Sequence, residues 1–153
     1  MKSYARIFIS EVPAGQDAAD YIQLQINAAA KQVDLGKDQL VKVIIADGTY
    51  EMTSRINVPT GVSVAGESQE NTILKISSDY TSGSSALFRT NDGSSFAGVE
   101  RLTIDVNEHP TAGGVRIGGG SDNQSVLNIN YVGNPDNANE PHAPVISLSL
   151  IHI

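Results

Sequence analysis

Three side chains of the sequence have the types that proton removal beside a carboxylate calls for, a base and two cations: His142, Arg101 and Arg116. A neutral imidazole titrates close to neutral pH and can act as a general base. A guanidinium takes a carboxylate through two parallel N–H···O bonds, so Arg101 and Arg116 are candidate clamps for an acidic substrate. Each has a plainer reading beside it. His142 stands between two prolines, in Pro141-His142-Ala143-Pro144, where a histidine is commonly a loop residue, and arginines often stand on an outer face in water. Asp92, Asp105, Asp122 and Asp136 are the carboxylates to weigh for hydrolysis, which needs a pair at roughly 5–9 Å across the glycosidic bond. Asp92 (in Asn91-Asp92-Gly93) and Asp136 have the setting of turn residues. Asp105 is grouped with Arg101 as a candidate substrate contact. Calcium is the one cofactor the residues admit, since carboxylates and turn carbonyls are its ligands. No D-x-D-x-D-G loop is present, so no metal ligands are assigned. Gly118-Gly119-Gly120 follows an apolar run but opens no helix, so it reads as a corner and not as a phosphate cradle.

The composition bounds what these residues can serve. At 153 residues the chain is one domain at most. A 40% hydrophobic fraction excludes a disordered chain. Charged residues make up only 18%, and 14 glycines, with Asn, Ser and Thr, take their place, which suits short strands joined by tight turns. A net charge of -7 argues against nucleic acid as a partner. The absence of Cys excludes disulfides and thiolate metal sites. No stretch approaches a membrane span, and residues Met1 to Pro13 lack the long apolar run of a signal peptide. The expected setting is extracellular or on a phage particle, reached without an N-terminal signal.

The elements that must position the candidates follow from periodicity. Asp17 to Val33 reads as a helix. Asp17 can cap it with Asp20 three residues on, Ile22, Ile26, Ala29, Ala30 and Val33 make one apolar stripe, and Gly36 follows its end. A strand at Tyr4–Ser10 precedes it. Beyond it short apolar runs recur at Val41–Ala46, Arg55–Val58, Val62–Ala65, Thr72–Ser77, Ala86–Arg89, Arg101–Asp105, Val115–Gly118 and Val126–Asn130. Turn signals rich in Gly, Asn and Pro separate them roughly every 8–15 residues. No two-residue hairpin turn joins long alternating runs. The expected fold is therefore all-β, a right-handed parallel β-helix whose open first coil is covered by the N-terminal helix. Ile44, Ile56, Val62, Val64, Ile73, Leu74, Leu87, Leu102, Ile104, Val115, Ile117 and Leu127 are its expected core.

The segment Val43–Ile76 carries a family likeness. Gly48-Thr49-Tyr50, then Pro59, Gly61, Val62 and Gly66 in a P-x-G-V-x-x-x-G arrangement, then Thr72-Ile73-Leu74, resemble the opening coils of the pectate-lyase-like β-helix superfamily, which also places an amphipathic helix first. That superfamily includes lyases, hydrolases, epimerases and phage tailspikes, so the likeness implies a fold and a carbohydrate partner rather than one reaction. Val99 to His142 resembles, more weakly, the catalytic module of the mannuronan C-5 epimerases, on Arg101–Asn107, Gly118–Gly120 and Glu140-Pro141-His142. The resemblance implies Glu140 and His142 as catalytic residues, with Arg116 standing for the family lysine that neutralises the sugar carboxylate. Here Ala143 occupies the family's second acidic position, and its active-site Tyr has no counterpart near Asn137. The implied activity is a uronic-acid polysaccharide lyase or C5-epimerase of alginate or pectin type, acting by proton abstraction at C5. The alternatives are a non-enzymatic glycan-binding tailspike or adhesin, or a glycoside hydrolase.

The end of the chain reads differently. Leu148-Ser149-Leu150-Ile151-His152-Ile153 resembles the translated transposon end sequence used in preparing DNA libraries. The expected organisation is one domain over residues 1–147, cut short and inactive by itself, with a non-native tail at 148–153.

Overall fold

The apolar stripe forms its helix and stops early. In the computed structural model, which describes residues 3–81, 86–107, 114–118, 123–132 and, by backbone alone, 146–148, helix α1 spans Ala18–Ala30 and buries Ala19, Ile22, Ile26 and Ala29. Asp17 caps it: Oδ1 accepts the Asp20 N–H at 3.0 Å, and Oδ2 accepts the Thr53 hydroxyl at 2.7 Å. The helix ends at Ala30 rather than Val33. The N–H groups of Lys31, Gln32 and Val33 turn to carbonyls three residues back, a tightening that closes the last turn. A short 3-10 turn, Leu35–Lys37, follows.

The strands are β1 (Ser3–Ile9), β2 (Gln39–Ile45), β3 (Gly48–Met52), β4 (Ile56–Val58), β5 (Val62–Gly66), β6 (Thr72–Ile76), β7 (Phe88–Thr90), β8 (Gly98–Asp105), β9 (Val115–Ile117), β10 (Ser125–Val132) and β11 (Ile146–Leu148). They pair in parallel throughout. One sheet has seven strands, in the order β1-β2-β5-β8-β6-β3 with β10 also on β8; the other has four, β11-β9-β7-β4. The first half of β8 pairs with β5 and its second half with β6. Between the halves Arg101 adopts a left-handed φ of 53°. In β10 the residue opposite is Asn128, with φ 55°. Neighbouring strands thus bend at the same place.

The expected all-β right-handed parallel β-helix is corrected by this topology. The chain is α/β-like: parallel strands in two separate sheets with a helix, and a closed solenoid is not shown. Short apolar runs fix strand length, and Asn and Gly corners fix where left-handed backbone is tolerated. Neither fixes how successive runs are distributed between sheets. Helix α1 packs against β2 and β3 of the larger sheet and against β4 of the smaller one, so it serves both sheets rather than the end of a coil.

Pairing also makes strands of two segments outside the expected apolar runs. Gly48-Thr49-Tyr50 is strand because it runs along β6 in register, Gly48 with Thr72 and Met52 with Ile76. β11 ends on Leu148, paired with Ile117, inside the expected tail; residues 149–153 lie outside the described residues. The core holds Ile56, Val62, Val64, Leu74, Leu87, Leu102, Ile104 and Val115 as expected. Ile44, Ile73 and Ile117 are only partly buried, and Leu127 is 54% exposed. Strand alternation accounts for Ile44 and Ile73: Val43 and Ile45 point inward, so Lys42 and Ile44 point out, and Ile73 stands between the buried Thr72 and Leu74. Ile117 shares the face of Val115 and is the last residue of its strand. Two glycines of the P-x-G-V-x-x-x-G pattern have steric reasons. Gly61 has φ 79°, and a Cβ there would overlap the Val33 side chain. A Cβ on Gly66 would overlap the Arg101 carbonyl oxygen. Among the described residues no helix is long and apolar enough to cross a membrane.

Candidate functional site

The four-stranded sheet turns one face to the core; on the other, Asn57 and Arg116 are exposed and Arg89 is partly buried. Ile56, Val58, Phe88, Thr90 and Val115 are buried on the inner side. Alternation sends Asn57, Arg89 and Arg116 outward, and register sets them in one row: Asn57 beside Arg89, Arg89 beside Arg116, Arg116 beside Ser147. Adjacent strands lie about 4.8 Å apart, so two guanidinium stems leave the sheet side by side. Gln23 of α1 closes the row at β4. Its amide accepts the Asn57 N–H at 2.8 Å and donates to the Asn57 carbonyl at 3.0 Å.

Like charges directly opposite one another across strands destabilise a sheet. Two unit charges at 4 Å repel by about 1 kcal/mol in water and about four times that near a protein surface. Among the described residues neither Arg89 nor Arg116 has a carboxylate in salt-bridge range. The Arg89 Nε is buried without a hydrogen-bond partner among them. A carboxylate laid across the row would meet both cations and cancel the repulsion.

The structure places the residues nominated from sequence as follows. Arg116 is exposed on this row. Arg89, which the sequence reading passed over, is its neighbour; the signal available was its position in a Phe-Arg-Thr run, which alternation sends outward. Arg101 lies in the other sheet, at the bend of β8, where its Nε donates to the Gly66 carbonyl at 3.1 Å. Asp105 ends β8, and its Oδ1 accepts the Asn107 N–H at 2.8 Å, closing a local turn. Asp92 is exposed before Gly93, in a turn closed by the Ser94 N–H on the Asn91 carbonyl at 3.2 Å. Glu140 and His142, with Asp122 and Asp136, lie outside the described residues.

A cleft of about 530 Å³ opens elsewhere, between the β1–α1 turn and β3. Among the described residues Glu11, Asp17, Asp47 and Glu51 line it, and no Lys or Arg does. Part of this charge is structural. Asp17 caps the helix, while Asp47 Oδ1 accepts the Ser68 hydroxyl at 2.7 Å and its N–H donates to Glu67 at 3.0 Å. Tyr50 donates to the Ala46 carbonyl at 2.7 Å. Its phenol is pushed above the usual range by burial, then by Asp47 and Glu67. The cleft therefore repels an anionic ligand, which the arginine row attracts. Among the described residues no group of three or more His, Asp and Glu is placed to hold a metal, calcium included.

Compared with family models, with curated proteins and with solved structures, the chain matches none.

Proposed function

We propose that this protein grips an acidic polysaccharide, a uronic-acid polymer, through the outer face of its four-stranded sheet. The observation that supports it is the side-by-side placement of Arg89 and Arg116 with no described carboxylate to neutralise them. A polyuronate presents one carboxylate per sugar, which is the geometry a row of cations takes up. The likeness of Val99–His142 to the mannuronan C-5 epimerases favours the same ligand class. Carboxylate binding is the step that a C5 lyase or epimerase shares with a glycan-binding tailspike or adhesin. An enzyme needs in addition a base at C5, the role proposed for His142 with Glu140 beside it.

The test is titration of the full chain with oligomannuronate, oligogalacturonate and a neutral glucan, by calorimetry at low and high salt. Both uronates should bind and the glucan should bind far more weakly, with affinity falling as salt rises. Arg89→Ala and Arg116→Ala should each weaken uronate binding about ten-fold or more, the worth of a charge-assisted hydrogen bond. Equal affinity for the glucan, or indifference to both substitutions, overturns the proposal. Appearance of unsaturated uronate absorbance, or of guluronate by NMR, would place the protein with the enzymes. Binding without turnover would place it with the adhesins.

A further inference from the structure

The larger sheet carries a second surface of different chemistry. Along β1, Tyr4, Arg6 and Phe8 alternate to one side, while Ala5, Ile7 and Ile9 pack toward the core. Tyr4 is 50% and Phe8 54% exposed, and Arg6 between them is exposed as well. Lys42, the register partner of Arg6, stands 5.4 Å above the Tyr4 ring and holds one face of it. The same ammonium bonds Glu100 of β8 at 2.8 Å. That pair crosses β5, whose outward residues Ser63 and Ala65 are small, so the floor beside the aromatic strand is low.

We propose that Tyr4 and Phe8 form a stacking platform for the sugar rings of an oligosaccharide, with Arg6 as the polar anchor between them. A pyranose is apolar on its C–H face and polar around its rim. It therefore suits an aromatic face, whose π cloud is negative, flanked by a hydrogen-bond donor. Tyr4 and Phe8 are four residues apart on one strand, about 13 Å. One ring cannot cover both, so the ligand is an oligomer. Arg6 has no ion-pair partner among the described residues and so favours a ligand carrying carboxylates. Single-stranded nucleic acid also stacks on aromatics, but it needs a run of free cations. Here Lys42 is already neutralised by Glu100, and the chain carries a net charge of -7. The inference shares with the arginine-row reading only the class of ligand, a glycan.

The experiment follows the ring signals of Tyr4 and Phe8 by NMR in the full chain during titration with a hexauronate, a neutral hexasaccharide and a hexadeoxynucleotide. Expected are saturable shifts of both rings with the hexauronate, weaker ones with the neutral sugar, and none with the nucleotide. Tyr4→Ala and Phe8→Ala should each cost about 3- to 10-fold in affinity without moving the melting temperature. Arg6→Ala should weaken the uronate and leave the neutral sugar unchanged. Rings that stay still with both sugars overturn the platform, even if Arg89→Ala and Arg116→Ala abolish uronate binding. A neutral sugar that moves the rings while neither arginine of the row matters keeps the platform and removes the other reading. Stronger shifts with the nucleotide overturn the sugar assignment. Should an alanine variant misfold, the ring shifts of the unaltered chain decide.

Discussion

At the scale of single residues, the buried phenol of Tyr131 ties stability to pH. Burial pushes its phenol from the usual 10.0 up to about 12, and its hydroxyl has no hydrogen-bond partner among the described residues. The neutral phenol is the form the fold favours. Its contribution is complete below pH 10, where both states are protonated, and is lost between about 10 and 12 as the unfolded chain ionises first. Melting temperatures measured from pH 9 to 12 should fall more steeply for the native chain than for Tyr131→Phe. At neutral pH that substitution should cost less than about 0.5 kcal/mol, because no hydrogen bond is given up. Arg116→Ala has a separate signature in the absence of ligand. Relief of its repulsion with Arg89 should leave stability unchanged or raise it by about 0.2–1 kcal/mol. A loss of several kcal/mol on chemical denaturation would mean that Arg116 holds the fold together instead of waiting for a ligand.

At the scale of elements, the Asp17 cap links helix and sheet, since one carboxylate serves both the Asp20 N–H and the Thr53 hydroxyl. Asp17→Ala should cost about 1–2 kcal/mol in a denaturation curve, and Asp17→Asn, which keeps an acceptor, clearly less. Gly66→Ala sets a methyl against the Arg101 carbonyl where backbone must move, and should cost about 1–3 kcal/mol. These two elements differ in how far the sequence announced them. The helix was legible because Asp17 and the Ile22–Ile26–Ala29 stripe are local signals, and its early end was not, because only the turn at Lys31–Val33 decides it. The strands at Val62, Thr72 and Val115 were legible from their apolar runs. Gly48–Met52 was hidden because a strand opening on Gly is recognised only through its partner, Thr72–Ile76. Arrangement was the least legible level. Nothing local to β8 says that one strand must serve both β5 and β6. For the site, Arg116 was nominated from sequence, whereas Arg89 emerged only once register set it alongside.

At the scale of the whole molecule, charge is sorted by surface. Carboxylates gather in the cleft beside α1, and arginines with no carboxylate partner among the described residues stand on the four-stranded sheet and on β1. The net charge of -7 thus conceals faces of opposite sign. β5 lies between β2 and β8, its inner residues Val62 and Val64 are fully buried, and the Lys42–Glu100 bond passes over its outer side. Solvent can reach its amides only after a neighbouring strand has separated. In deuterium uptake the amides of β5 should therefore be among the last to exchange, and their rate should report global unfolding and not local breathing. Glu100→Gln, which breaks the bond above them, should hasten that exchange before it changes any other part of the protection pattern.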